Sequence, residues 1–372
     1  MSMQATILEG LKIVSMAEQF PGPFATMLLA DMGAEVIIVE RPGMGDPSRF
    51  LPPFFEALNR GKKSVALNVK EADDKAKFIS LISEADIFLE GFRPGRLKKL
   101  GLGYDALSEI NPKLIYASIS GYGQTGPYRD RPGHDLSYQG VGGSLFEQLA
   151  KGDDAEPTNI LLGDVGSAMF ATVGVLAALE ARRRTGRGSY IDVSMADSVA
   201  SMMTAAIALA ANGGANLPGP GAEPAYDLFQ TSDQKWLTLS IAHEDNYWSR
   251  LCATLGLDDF KDLDRGKRIA IRSQLKSAIS DVIRRQTFDE WDRTFTENDQ
   301  MFGPAYDRAD VLTDPHLMAR GLFETLVRKD GGEQVVLRQP LKFAGYSNAP
   351  LSPSPTLGEH NDTLFRGAAA AE

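Results

Sequence analysis

The chain has 372 residues, enough for about two domains at roughly 150 residues each, and its 43% hydrophobic and 24% charged content is that of a protein with a full buried core. Its 39 Lys and Arg against 49 Asp and Glu leave a net charge of −10, which argues against a general nucleic-acid binder with its basic footprint and against a membrane-surface protein. A lone cysteine, Cys252, excludes a disulfide framework and fits a reducing compartment, and with only 4 histidines there is little material for a structural zinc site.

The N-terminus (MSMQATILEG) has no basic region ahead of an apolar one, so no signal peptide is expected and a cytoplasmic location follows. Leu11 to Met16 reads as a short strand, Phe24 to Met32 as a helix and Ala34 to Glu40, rich in β-branched residues, as a second strand. This is the size of a βαβ crossover. Ser64 to Leu67 predicts a strand, Glu71 to Ala85 a helix, and Asp86 to Leu89 and Leu114 to Ser120 two further strands. Such alternation implies an α/β fold with a parallel sheet and helices on both faces. Gly121 to Glu156 is dense in Gly, Pro and Asp without periodicity and reads as a long functional loop. A helix over about Val165 to Arg183, closed by Gly186, comes next. Its uncharged run, Val165 to Leu179, has 15 residues, short of the roughly 20 of a membrane span, so no transmembrane helix is expected. Tyr190 to Val193 predicts a strand and Met195 to Ala211 one Ala/Met-rich helix. Residues 212–224 carry Gly and Pro with little charge, the best linker candidate. Beyond it come a strand at Trp236 to Ile241, a helix at Asp245 to Leu255, polar helices to about Arg293, an extended stretch from Val335 to Phe343 and a Pro-rich coil.

Several groups carry chemistry by type. Gly121 to Gly126 (GYGQTG) matches G-x-G-x-x-G after a strand, but Pro127, Arg129, Arg131 and Pro132 follow where a dinucleotide site needs a helix, so nicotinamide binding is disfavoured. Basic clusters at Arg60, Lys62 and Lys63 and at Arg93, Arg96, Lys98 and Lys99 offer phosphate contacts, against the commoner reading of a solvated surface. Arg41 stands alone after the second strand. Asp164 precedes a long apolar helix, where it is either a plain N-cap or a carboxylate available as nucleophile or base. His134 and Asp135 sit in the irregular loop, and a loop histidine beside a carboxylate is a proton carrier or a packing residue, which makes His134 and Asp135, with Asp164, the catalytic candidates. His243 and Glu244 form a polar strand end, Cys252 reads as a buried thiol, and Met202 and Met203 as core.

The ordered blocks GLKIVSMAEQFPGPFATMLLADMGAEVIIVERPGMGDPSR, NRGKKSVALNV, EGFRPGRLKKLGLGYDAL, NPKLIYASISGYGQTGPYRDRPGHD, GDVGSAMFATVGVLAALEARRRTGRGSYIDVSM and DPHLMARGLF resemble the family III CoA-transferases, a group that includes formyl-CoA and carnitine-CoA transferases and the α-methylacyl-CoA racemases. The resemblance implies a Rossmann-like large domain (1–211), a linker (212–224), a smaller α+β domain (225–325), a return segment completing the large domain (326–372), and an interlocked homodimer. It implies no tightly bound cofactor: coenzyme A enters as part of the substrate, acyl-CoA, with a small carboxylic acid as partner. Arg41, Lys70 and Lys99 then fall at CoA-contacting positions, Gln19 and Phe20 at the adenine end, and Tyr138 among the CoA-binding residues. In family transferases the residue matching Asp164 attacks the thioester and forms a mixed anhydride, with amides at the helix start expected to stabilise the oxyanion. In family racemases the same Asp pairs with a His in a GHDINY-like block, here Gly133-His134-Asp135-Leu-Ser-Tyr138. His134 and Tyr138 favour proton transfer; DVGSAM in place of a Gly-rich run, and His243 where the racemases carry a Glu, favour CoA transfer. The transferase is the leading expectation, the racemase the alternative. A non-catalytic acyl-CoA binder is disfavoured by the presence of both Asp164 and His134.

Overall fold

In the computed structural model, which describes residues 5–149, 151–157, 159–214 and 220–365, the first strands build one parallel sheet. Its members are β1 (Lys12–Ser15), β2 (Glu35–Glu40), β3 (Lys63–Ala66), β4 (Ile87–Glu90), β5 (Ile115–Ser120) and β6 (Ser189–Ser194), in the order β3-β2-β1-β4-β5-β6. Ile13 pairs with Val36 on one side and Ile87 on the other, and Ile87 with Ile115. The crossovers are α1 (Pro21–Asp31), α2 (Pro52–Asn59), α3 (Ala72–Glu84), α4 (Arg96–Lys99) and α5 (Tyr104–Ile110). This is the doubly wound Rossmann-like arrangement expected, and its strand order reverses between β1 and β4.

Alternation along each strand splits the core. Ile13, Ile87, Leu89, Ile115 and Ala117 join one apolar cluster, while their neighbours Val14, Phe88 and Tyr116 join another with Phe78 and Ile82 of α3. Burial on both faces explains why these strands read as continuous apolar runs. Each buried Ile, Val, Leu or Phe among them contributes about 1.5–3 kcal/mol. The edge strand β3 is covered by the chain's return. The Ser64 carbonyl accepts from the His360 amide (2.9 Å), and the Asn361 side chain accepts from the Ala66 amide (2.8 Å) and donates to its carbonyl (3.2 Å). Pairing an edge in this way removes a template for aggregation.

The loop expected between Gly121 and Glu156 contains two helices, α6 (Asp135–Gly142) and α7 (Phe146–Leu149). The glycines of DLSYQGVG lower intrinsic propensity, and tertiary contacts hold α6 instead. Gly142 lies so close to α9 (Met195–Met202) that a Cβ there would meet Val199 at 2.4 Å. The following helix, α8 (Leu162–Thr185), is longer than expected, and Gly186 closes it with φ 71°. It is the one described helix long and apolar enough, by length and composition, to cross a membrane, because the helix extends past the 15-residue apolar run at both ends, through Asp164 on one side and Glu180 on the other. Its Ala168, Ala171, Val175 and Ala178 are core residues, at spacings that make one helical stripe. The expected single helix after β6 is broken at Met203 into α9 and α10 (Thr204–Ala211).

The chain divides into two units, one running to Ile207 and resuming at Gly321, the other covering Ala208–Arg320. The junctions thus fall a few residues from the composition-based limits, since α10 runs through the first; part of the linker expected over 212–224 lies outside the described residues, as does the chain's end. The second unit is a small α+β assembly. An antiparallel sheet β7-β8-β9 (Tyr226–Gln230, Trp236–Ser240, Phe302–Pro304) packs with α11 (Asp245–Leu255), α12 (Arg265–Ala270), α13 (Arg272–Ile283) and α14 (Phe288–Glu297). Trp248, Trp291, Phe295 and Cys252 are buried there. A hairpin of β10 (Phe323–Val327) and β11 (Glu333–Leu337) belongs to the first unit. The hairpin's first strand carried no recognised sequence signal.

One basic cluster is corrected. Arg60 is buried and pairs with Asp31 at 2.6 Å. Lys62, also buried, donates to the Pro23 carbonyl (2.9 Å), Thr26 hydroxyl (2.8 Å) and Asn59 side chain (2.9 Å). Neither is available to a phosphate; burial holds the Lys62 ammonium well below its usual pKa.

Candidate active site

Beyond the C-terminal ends of β1 and β4, where the strand order reverses, lies a cavity of about 980 Å³. Crevices at such switch points are where open α/β sheets bind ligands. Its wall comes from the turn after β1 (Gln19, Phe20), the turn after β4 (Phe92, Arg93) and the start of α6 (His134, Asp135, Tyr138), with Asp164 of α8. Sequence-distant candidates therefore meet on one surface.

Asp164 is not the N-cap of α8. The helix begins at Leu162 after Leu161, which makes no side-chain cap, so Asp164 lies inside the first turn. Capping is supplied from α6: one Asp135 oxygen accepts from the Gly163 amide (2.7 Å) and the Asp164 amide (3.0 Å). Its other oxygen accepts from Gln139, which also donates to the Ile160 carbonyl at 2.8 Å. Asp135 is buried, and its engaged oxygens make it a positioning group rather than the catalytic carboxylate expected. The amides expected to serve an oxyanion are those bonded to Asp135. Burial, with the adjacent Asp135 charge, pushes the Asp164 carboxyl up to about 6, against a smaller downward pull from His134. His134 immediately precedes α6 and is exposed.

Tyr138 is buried, and its hydroxyl donates to the Gly133 carbonyl at 2.7 Å. Desolvation, then Tyr122 and Asp164, push that phenol up to about 12. A Cβ on Gly121 would lie 2.4 Å from this ring. The first glycine of GYGQTG is thus explained by a tyrosine's close approach, and no helix opens on the motif.

The cations differ from expectation. Arg93, Arg129 and Arg131 line the cavity. Arg129 donates to the Gln124 carbonyl (2.9 Å), and the Arg131 guanidinium lies 3.7 Å over the Tyr128 ring. Arg41 reaches the wall only through Glu18, at 3.3 Å. Lys70 and Lys99 are exposed and do not line the cavity. Arg129 and Arg131 were visible only as residues that spoil a dinucleotide motif. In the other unit, Glu244 precedes α11 and accepts from the Ala242 amide at 2.9 Å, while His243 is exposed. Among the described residues no cluster of three or more His, Cys, Asp or Glu could hold a metal ion.

A doubly wound sheet whose switch-point cavity joins carboxylates, a histidine and arginines has the make-up of an α/β enzyme. Residues 8–361 match the model of CoA-transferase family III, and this chain belongs to that family. It is 33% identical to acetyl-CoA:oxalate CoA-transferase of Acetobacter aceti over 98% of this chain and 96% of that one. Succinyl-CoA:glutarate CoA-transferase of Homo sapiens is 30% identical over 96% and 85%. A CAIB/BAIF family protein from Brucella suis superposes with a TM-score of 0.86 at 30% identity, over 98% of this chain and 100% of that one. The protein is thus an enzyme of a CoA-transferase family, whose named members act on CoA thioesters.

Proposed function

We propose that this protein moves CoA from an acyl-CoA to a small carboxylic acid through a covalent intermediate on Asp164. The observation that carries this is Asp164 in the switch-point cavity, its backbone held by Asp135 and its carboxyl partly desolvated. A desolvated carboxylate is a stronger nucleophile than a hydrated one. An Asp164 oxygen attacks the thioester carbonyl, the C–S bond breaks, and CoA leaves as thiolate from an acyl-aspartyl anhydride. The thiolate attacks the aspartyl carbonyl, releasing the donor acid and leaving an aspartyl-CoA thioester. The acceptor carboxylate displaces CoA to form a second anhydride, and the thiolate attacks its acyl carbon, giving the new acyl-CoA and free Asp164. No proton is gained or lost over the cycle. Arg93, Arg129 and Arg131 are the cavity's cations for the CoA polyphosphate.

Brief incubation with a panel of acyl-CoAs, followed by peptide mass analysis with and without borohydride, tests the route. An adduct or a reduced aspartate at residue 164 is expected; an unmodified Asp164 in a protein that turns over overturns it. A second reading has its own observation, that His134 and Asp164 line one cavity. There the two groups exchange an α-proton of a 2-methylacyl-CoA, and solvent deuterium would enter the α-carbon without an acceptor acid.

The first unit also leaves apolar residues uncovered, among them Phe146 (69% exposed), Val173 (62%) and Met169 (54%). We propose that a second copy of this chain covers them in a homodimer. Sedimentation of the protein as a monomer at micromolar concentration would overturn this.

A further inference from the structure

Gln19 has a φ of 66°, in the left-handed region that residues with a Cβ rarely occupy. Such outliers persist only where the surroundings hold them, and they cluster at functional sites. The strain is not repaid by packing, because Gln19 is exposed and lines the cavity. What holds the backbone is Asp46, 27 positions away. Its two carboxylate oxygens accept from the Gln19 amide at 3.2 and 3.0 Å. Asp46 is only 4% exposed, and one of its oxygens also accepts from the Ser48 amide and hydroxyl, each at 2.8 Å.

Asp46 is fixed in turn. Its own amide donates to Glu40 at 2.9 Å. Glu40, 6% exposed at the end of β2, accepts from Arg49 Nε (2.7 Å) and Nη2 (2.6 Å) and from the Ser64 hydroxyl (2.6 Å). Arg49 lies 4.0 Å over the Phe55 ring and donates to the Pro355 carbonyl at 3.1 Å. Ser64 Oγ accepts from the Gly358 amide at 3.0 Å. A continuous buried network thus runs from the returning C-terminal segment to one strained residue on the cavity wall. Low-dielectric networks of this kind are rigid when every member is bonded.

We infer that Asp46, braced by Glu40 and Arg49, is a positioning residue that holds Gln19 in its left-handed conformation and so presents the Gln19 side chain to the substrate cavity. This deepens the transferase reading and rests on it only in taking that cavity as the place where acyl-CoA reacts. The competing role is local: Asp46 also caps the short helical turn Pro47–Phe50 through Ser48.

A double-mutant cycle separates the two. Glycine adopts the left-handed region freely, so Gln19→Gly removes both the strain and the presented side chain. Asp46→Ala is expected to lower kcat/KM by about 10- to 100-fold, the scale of a misplaced group in an active site. In the Gln19→Gly background it should cause no further loss. Multiplicative losses, or an Asp46→Ala enzyme with unchanged kcat/KM, overturn the inference. Amide hydrogen exchange on the Asp46→Asn and Glu40→Gln proteins gives a readout that needs no turnover. Faster exchange at the Gln19 amide than in wild type is expected, and unchanged protection in both overturns the inference. Because exchange does not depend on any reaction, its result stands whether or not Asp164 proves to be the nucleophile.

Discussion

At the scale of single residues, the site turns on two aspartates whose surroundings give them different work. Asp135 spends one oxygen on the Gly163 and Asp164 amides, whereas the Asp164 carboxyl is raised to about 6 from an ordinary 3.8. In the proposed route the nucleophile is the carboxylate, so kcat/KM should fall below an acid limb near pH 6. Asp135→Asn keeps an acceptor for the Gly163 and Asp164 amides but removes the neighbouring charge. Its acid limb should move to lower pH, and an unmoved limb would show that Asp135 does not act on Asp164. Asp164→Asn should lower kcat by about a thousandfold or more. It should also raise stability at pH 8. A folded-state pKa above the unfolded value contributes stability at low pH that is lost as pH rises through about 6. Relief of the ionised burden is therefore worth about 1–3 kcal/mol at pH 8 and vanishes towards pH 4. Thermal midpoints of the two proteins at both pH values check the sign.

At the scale of elements, the helix that presents His134 and Tyr138 is the one the sequence hides. Gly140, Gly142 and the adjoining Gly143 argue locally for a loop. Yet Gly142 lets α6 approach Val199 of α9, and Gly121 admits the Tyr138 ring. A methyl group at residue 121 would overlap that ring. Gly121→Ala should therefore cost about 1–3 kcal/mol by overpacking and lower activity by displacing α6, read together from denaturant unfolding and turnover. Gly186→Ala, at a φ of 71° that closes α8 far from the cavity wall, should cost about 1 kcal/mol and leave kcat/KM intact. The β-branched and apolar strands were legible because burial on both faces imposes its own composition, and α1, α3 and α11 because their apolar spacing is helical. Edge elements such as β9 and β10 were not, since their burial is partial and their pattern weak.

At the scale of the whole molecule, the chain returns from the second unit to brace the first. Asp31 on α1 is buried and pairs with Arg60 at 2.6 Å and Arg338 at 3.2 Å, and accepts from the Gln339 amide at 3.0 Å. Removing one partner of a buried charge cluster leaves the others uncompensated. Asp31→Ala should thus destabilise the protein by about 3–5 kcal/mol, and a loss under 1 kcal/mol in urea unfolding would show the cluster to be incidental.

Ordered sequence blocks were sufficient to identify the family, the parallel sheet and Asp164 as the residue to watch, because hydrophobic periodicity and contiguous motifs are local properties of the chain. They left open which charges line the cavity. Arg60 and Lys62 read as a surface patch and are interior; Arg129 and Arg131 read as punctuation and line the cavity. Asp135 read as a proton-transfer partner and instead caps the helix of Asp164. Whether a charged side chain is buried, paired or presented depends on what packs against it from residues tens or hundreds of positions away, and that is decided only when the strands, helices and returning C-terminal segment assemble.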